Sequence, residues 1–109
     1  VRGNFARGIL AMTYTKCELD LNEIKRLYRE YYANDPFTII TERNPDLKQV
    51  VNTNKAIVFL EKHDDQLLII SAIDNLIKGA SGQSVQNMNL VFGLGETTGL
   101  LFKANFGMY

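Results

Sequence analysis

The sequence predicts an α+β domain: a mixed, largely antiparallel sheet of four to five strands, two main helices on one face, and the other face available for dimerisation. Three observations carry this. Short runs rich in Ile, Val, Leu and Thr recur at 7–16, 37–41, 56–61 and 66–73, each of strand length. Two longer segments, 19–35 and roughly 81–93, repeat apolar residues at helical spacing. The runs 56–61 and 66–73 are apolar on both faces, the pattern of a sheet covered on both sides.

In order along the chain, "RGILAMTYTK" (7–16) is a strand with Leu10, Met12 and Tyr14 on one face and Ile9, Ala11, Thr13 and Thr15 on the other. "LDLNEIKRLYREYYAND" (19–35) is a helix whose stripe is Leu21, Ile24, Leu27, Tyr28 and Tyr31. Asp20 with Glu23 three residues later forms a capping-box-like pair. Pro36 stops the helix, because proline disfavours helical geometry in the residue before it. "FTIIT" (37–41) is a short strand, and "KQVVNTN" (48–54) adds an edge strand. "AIVFLE" (56–61) and "QLLIISAI" (66–73) form a hairpin turned by "KHDD" (62–65). A second helix runs from about Ser81 to Gly93, with Val85, Met88 and Phe92 as its apolar stripe. A last short strand is expected at 100–104.

Composition narrows the function classes. The 109 residues fit one domain, 1–109. A formal net charge of zero gives no basic footprint for nucleic acid. One cysteine, Cys17, excludes a disulfide framework and a cysteine-based metal site. No apolar run is long enough to span a membrane and no signal peptide is visible, so a cytoplasmic protein is expected. The chain begins at Val1 rather than Met, as expected of a piece of a longer polypeptide.

Charge is unevenly spread. Residues 79–109 carry only Glu96 and Lys103, while 1–78 carry the other 22 charged side chains. A surface that poor in charge needs a cover. The strands that are apolar on both faces need one too, and a second copy packed sheet against sheet, or a domain absent from this chain, would supply it.

Few side chains suggest chemistry. Cys17 has no base beside it and reads as an inert thiol. His63, with two aspartates in "KHDD", reads as a solvated turn. "KGASG" (78–82) precedes a helix, where free N–H groups can receive an anion. The phosphate-loop and dinucleotide patterns are absent, however, and close loop packing explains the glycines equally well. Arg2 and Arg7 stand among glycines before the first strand; an arginine there can grip a carboxylate or phosphate, or simply lie on the surface. Gln83, Gln86 and Asn87 form an amide stripe at i, i+3 and i+4. Amides both donate and accept, which suits an interdomain contact, a carboxamide ligand or polar backbone. No metal site is expected.

The stretch "SAIDNLIKGASGQSVQNMNLVFGLGETTGL" (71–100) closely resembles the C-terminal signature of the N-acetyl-gamma-glutamyl-phosphate reductases, S-A-x-D-N-L-x-K-G-A-x-G-Q-A-x-Q-N-x-N followed by E-T-x-G-L. Ser84 replaces the usual alanine. "RGILAMTY" (7–14) resembles the family's R-G-I-x-A-T-x-Y strand, with Met12 in place of threonine, and "NTN" (52–54) stands where the family has G-T-N or G-S-N. The resemblance spans almost the whole chain up to Leu100.

The resemblance implies the second, semialdehyde-dehydrogenase dimerisation-type domain of a two-domain homodimer or higher homo-oligomer. Such enzymes act in arginine biosynthesis, reducing N-acetyl-gamma-glutamyl phosphate to the semialdehyde with NADPH. The parent mechanism is thiolate attack on the acyl phosphate, loss of phosphate, then hydride transfer to the thioester. Neither the S-x-P-G-C-Y nucleophile neighbourhood nor the H-x-H histidine has a match here; Cys17 and His63 do not correspond to them. The glycine-rich nucleotide fingerprint is also missing, so the chain alone is expected to be inactive and to hold no catalytic residue. The resemblance further implies that Gln83 approaches the nicotinamide end of the cofactor, that Gly79, Gly82, Gln86 and Asn87 line the same edge, and that Arg7 holds the substrate phosphate or carboxylate. Two other readings remain open: a related acyl-phosphate reductase acting on an aminoadipyl or aspartyl substrate, and a non-catalytic homodimeric interaction module.

Overall fold

The structure, a computed structural model, describes residues 4–103. Its elements are β1 (Ile9–Lys16), α1 (Leu21–Tyr31), β2 (Thr38–Thr41), a 3-10 turn (Leu47–Gln49), β3 (Ala56–His63), β4 (Gln66–Ile73), a π turn (Ile77–Ser81) and α2 (Gly82–Val91). The four strands lie in the order β1-β4-β3-β2. The β1–β4 and β3–β4 pairs are antiparallel, and β2 runs parallel to β3. The fold is thus α+β on a mixed sheet, as expected, and the strand count is four among the described residues. The strand expected at 100–104 is not seen over 100–103; residue 104 lies outside the described residues.

Three local expectations are corrected. The β3–β4 hairpin is tighter than "KHDD" implied: Lys62 and His63 pair within the strand, and only Asp64 and Asp65 form the loop. Asp64 takes a left-handed φ of 55° there, as short hairpin loops require. The segment 48–54 is not a strand. Its start winds into the 3-10 turn, where the Asp46 carboxylate accepts from Lys48 N and the Gln49 side chain accepts from Asp46 N, both at 2.9 Å. This reciprocal capping box outweighs the β preference of Val50 and Val51, which are fully buried beyond it. At α1 the box does not form. Asp20 accepts from Asn22 N at 3.2 Å, while Glu23 turns outward to pair with Arg26.

The sheet's two faces follow from register. Val58 and Leu60 of β3, Leu67 of β4 and Ile24 of α1 form one core cluster, joined by Leu21, Tyr28, Ile40, Ile69 and Cys17. Of the expected α1 stripe, Leu27 and Tyr31 remain exposed. On the opposite face Leu10, Ala72 and Ile57 stand side by side across β1, β4 and β3. Leu47 and Val50 cover them, so the second face has a partial lid of its own. Farther along that face Met12, Tyr14 and Ile39 are left 46%, 61% and 41% exposed. No α2 side chain belongs to either cluster.

Candidate functional site

The site is built where β1 begins and β4 ends. Gly8 takes φ 112°, a value that favours glycine, and its N–H donates to Asn75 Oδ1 at 2.8 Å. This fixes Arg7 beside Asp74, the residue that follows β4. The Asp74 carboxylate is completely buried. Its Oδ2 accepts from Asn52 N at 2.7 Å and lies 3.3 Å from Arg7 Nε. Its Oδ1 accepts from Leu76 N at 2.8 Å and Ile77 N at 3.1 Å. Arg7 Nη1 donates to Asn52 Oδ1, and Asn52 holds a left-handed φ of 65°. One carboxylate therefore ties the start of β1, the turn at Asn52 and the head of the π turn together. Removing one partner of such a buried pair costs about 3–5 kcal/mol.

From this knot the chain enters the π turn. Gly79 N donates to Asp74 O at 3.0 Å and Ser81 N to Leu76 O at 3.1 Å, both five residues back. The α2 helix follows directly, and its inward face is Gly82, Gln86 and Asn89. The apolar stripe does not face inward: Gln86 and Asn89 are buried, while Met88 and Phe92 of the expected apolar stripe are 46% and 72% exposed. The reason lies in what the helix meets. Gln86 Oε1 accepts from Asn54 Nδ2 at 3.0 Å and from Lys78 Nζ at 2.7 Å, and Gln86 Nε2 donates to Glu96 Oε2 at 2.7 Å. Asn89 Nδ2 donates to the carbonyls of Glu96 and Thr98 at 3.1 and 3.0 Å. A leucine at either place would strand these groups.

The expected stripe of three amides therefore splits. Gln86 is buried and committed to internal partners, whereas Gln83 and Asn87 stay on the outer side, where Gln83 Nε2 donates to Asn87 Oδ1 at 3.0 Å. Gly82 is buried against Asn54 and Ile77; Gly79 is exposed. Beside them Ile77, Ser81, Val85, Gly99 and Phe102 line a recess of about 170 Å³.

Electrostatics reinforce the packing. Burial pushes the Lys78 ammonium below the ordinary lysine range, against the opposing pull of Asp35 and Glu96. Its Nζ sits 5.5 Å from the centre of the Phe37 ring. Burial alone would raise the Asp35 carboxyl, but hydrogen bonds from Phe37 N at 3.0 Å and Thr38 Oγ1 at 2.8 Å, with the Lys78 charge, bring it below the usual carboxylate range.

Cys17 and His63 stand apart from this region. Cys17 is half-buried against the α1 core. His63 is exposed, 3.2 Å from Glu61. Arg2 lies outside the described residues. No group of three His, Cys, Asp or Glu side chains that could hold a metal occurs among the described residues.

Residues 1–75 match the family model described as the semialdehyde dehydrogenase dimerisation domain. The chain belongs to this family. The match to the dimerisation domain ends at Asn75, within the knot, and α2 lies beyond it. Longer similarity extends through α2. The chain is 67% identical over 103 residues, 94% of its length, to a protein of Parabacteroides distasonis named N-acetyl-gamma-glutamyl-phosphate reductase. Proteins of the same name from Azobacteroides pseudotrichonymphae and Christiangramia forsetii are 60% and 56% identical over 96% of the chain. The chain spans about a third of the length of these relatives, 32%, 33% and 33% respectively. No helix among its described residues is long and apolar enough to cross a membrane.

The sequence reading singled out Arg7 and the α2 amides but missed the residues that hold them: Asp74, Asn52, Asn54, Asn89 and Glu96. Two signals were available. Asp74-Asn75 follows an apolar strand and precedes a helical segment, the place of a capping carboxylate. Asn89 falls seven residues after Gly82 and three after Gln86, on one helix face.

Proposed function

We propose that the chain is the substrate and dimerisation domain of an NADPH-dependent N-acetyl-gamma-glutamyl-phosphate reductase, a cytoplasmic enzyme of arginine biosynthesis. In this reading residues 1–109 form one domain, and the nucleotide-binding domain with the nucleophilic cysteine and the proton-transferring histidine lies elsewhere in the longer protein. The observation that carries the reading is the 67% identity, over 94% of the chain, to a protein of that name.

Arg7 holds the phosphate or carboxylate of the acyl phosphate substrate through charge-assisted hydrogen bonds. Gly79, Gln83 and Asn87 form the face presented to the cofactor. The cofactor supplies the hydride when bound. These residues suit a carboxamide: Gln83 and Asn87 each offer a donor and an acceptor on the open side of α2, and Gly79 keeps its backbone approachable. Gly82 and Gln86 belong to the same wall from behind, holding the helix to Asn54, Lys78 and Glu96. The partly covered sheet face bearing Met12, Tyr14 and Ile39 meets the same face of a second copy.

A chimera tests this reading. Residues 1–103 replace the matching segment of the Parabacteroides distasonis protein, and NADPH-dependent phosphate release is measured. The chimera is expected to stay within about tenfold of the parent, a loss of 1.4 kcal/mol or less, and the isolated chain to show no turnover. A folded chimera without activity, or turnover by the isolated chain, overturns the proposal.

A further inference from the structure

We propose that Asp74 is a positioning residue: it presents the Arg7 guanidinium to an anion and couples that anion to the backbone that starts the π turn. The proposal rests on the reading of Arg7 as the residue that meets the substrate's phosphate or carboxylate.

A fully buried carboxylate is costly unless it is paired and hydrogen-bonded. Asp74 meets that condition with a division of labour between its oxygens. Oδ2 serves Arg7 and Asn52 N; Oδ1 serves the amides of Leu76 and Ile77. Asn52 takes Arg7 Nη1 from the side. Among the described residues nothing hydrogen-bonds to Arg7 Nη2, and the Arg7 side chain keeps 20% of its surface exposed. An arginine that only neutralised the buried acid would have no need of a free donor end. This one is held at Nη1 by Asn52, which leaves Nη2 for a phosphate or carboxylate oxygen.

The geometry also leaves play in one contact. Arg7 Nε lies 3.3 Å from Oδ2 without a hydrogen bond. An anion drawing the guanidinium outward changes the charge felt by the carboxylate. The other oxygen of that carboxylate holds the first amides of the segment that leads into α2. Substrate occupancy at Arg7 is thus felt at the head of the amide-bearing wall, through one side chain and without a long relay.

The test is nuclear magnetic resonance of the 15N-labelled 109-residue chain, titrated with inorganic phosphate at constant ionic strength, with chloride as control. Arg7 Nε–H and Gly8 N–H are expected to shift saturably with phosphate and not with chloride, and Leu76 and Ile77 N–H to follow the same curve. Asp74→Asn is expected to weaken phosphate at Arg7 by about fivefold or more and to silence Leu76 and Ile77. Asn52→Gly, which tolerates the left-handed φ, is expected to weaken phosphate by about two- to fivefold while Leu76 and Ile77 still report the binding that remains. A saturable Arg7 response with silent Leu76 and Ile77 in the wild-type chain overturns the coupling and leaves the Arg7 reading standing. Unchanged or tighter binding in folded Asp74→Asn also overturns the proposal. If Arg7 does not respond to phosphate at all, both readings fall. Where Asp74→Asn does not fold, the wild-type chain and Asn52→Gly decide the question.

Discussion

Gly82 lies so close to Asn54 that it has no room for a side chain. A methyl carbon placed on Gly82 would lie 2.1 Å from Asn54 Oδ1 and 2.7 Å from both Ile77 O and Ile77 Cγ2. Gly79, three residues earlier, is different: its nearest neighbours would be Ile73 Cδ1 at 3.4 Å and Asp74 O at 3.6 Å, ordinary contacts. Two glycines of one short motif therefore answer to different constraints. Gly82→Ala is expected to destabilise the chain by about 1–3 kcal/mol, because overpacking outweighs the gain of about 1 kcal/mol in helix propensity. Gly79→Ala is expected to be neutral or slightly stabilising. Urea denaturation of both variants checks this, and equal costs at the two positions would contradict it.

Asn89 fastens the segment after α2. Its single amide nitrogen serves the carbonyls of Glu96 and Thr98. Asn89→Ala leaves both without that donor, and a loss of about 1–3 kcal/mol is expected. Asn89→Asp is expected to cost more, since a carboxylate would face two carbonyl oxygens. Amide hydrogen exchange at residues 94–100 should accelerate in both, and unchanged protection there would count against the assignment.

The lowered Asp35 carboxyl makes a pH prediction with a definite sign. A carboxyl that is more acidic folded than unfolded contributes stability above its unfolded range and loses it as pH falls through its folded value. Asp35→Asn is expected to be less stable than wild type by about 1 kcal/mol at pH 7. The gap should close below roughly pH 4, the ordinary range of an aspartate. Thermal melts of both proteins between pH 7 and pH 2.5 would show it; a gap that widens in acid would refute it.

The dimer reading is testable without disturbing the core. Tyr14 and Ile39 are 61% and 41% exposed on the same sheet face. Replacing both with Arg is expected to change monomer stability by no more than about 0.5 kcal/mol per site. The same double variant should convert a two-chain sedimentation mass into a one-chain mass. A wild-type chain that sediments as one chain at high concentration would refute the proposed interface.

Much of this fold was legible because alternation and helical spacing report which residues share a face. The presence and order of the four strands and the two helices follow from that signal, whereas their ends do not: α1 stops at Tyr31, short of the expected end before Pro36, and β3 runs on to His63, past the expected end at 61. Spacing does not report which face turns inward. For α2 the inward face is polar, because its partners Asn54 and Lys78 arrive from other segments with side chains that need amides. The turn at 47–49 was misread because Val50 and Val51 favour strand by residue type. The pair Asp46 and Gln49, three apart, was the competing signal, and the box it forms prevails. At the candidate site Arg7 stood out as a charge among glycines. Asp74 did not: its place between an apolar strand and a helical segment marks a capping carboxylate, but nothing local marks a counter-ion 67 positions away.

The π turn has a consequence for every residue after it. It holds one residue more than an α-helical turn would need, and each residue of an α-helix advances the wheel by about 100°. The surplus residue therefore sets the phase of α2. Deleting Ala80 alone would alter no side chain of the wall, yet would swing Gln83 and Asn87 about a quarter turn and bring other residues against Asn54 and Glu96. The length of that one turn, as much as the identity of the amides, decides what this helix shows to its surroundings.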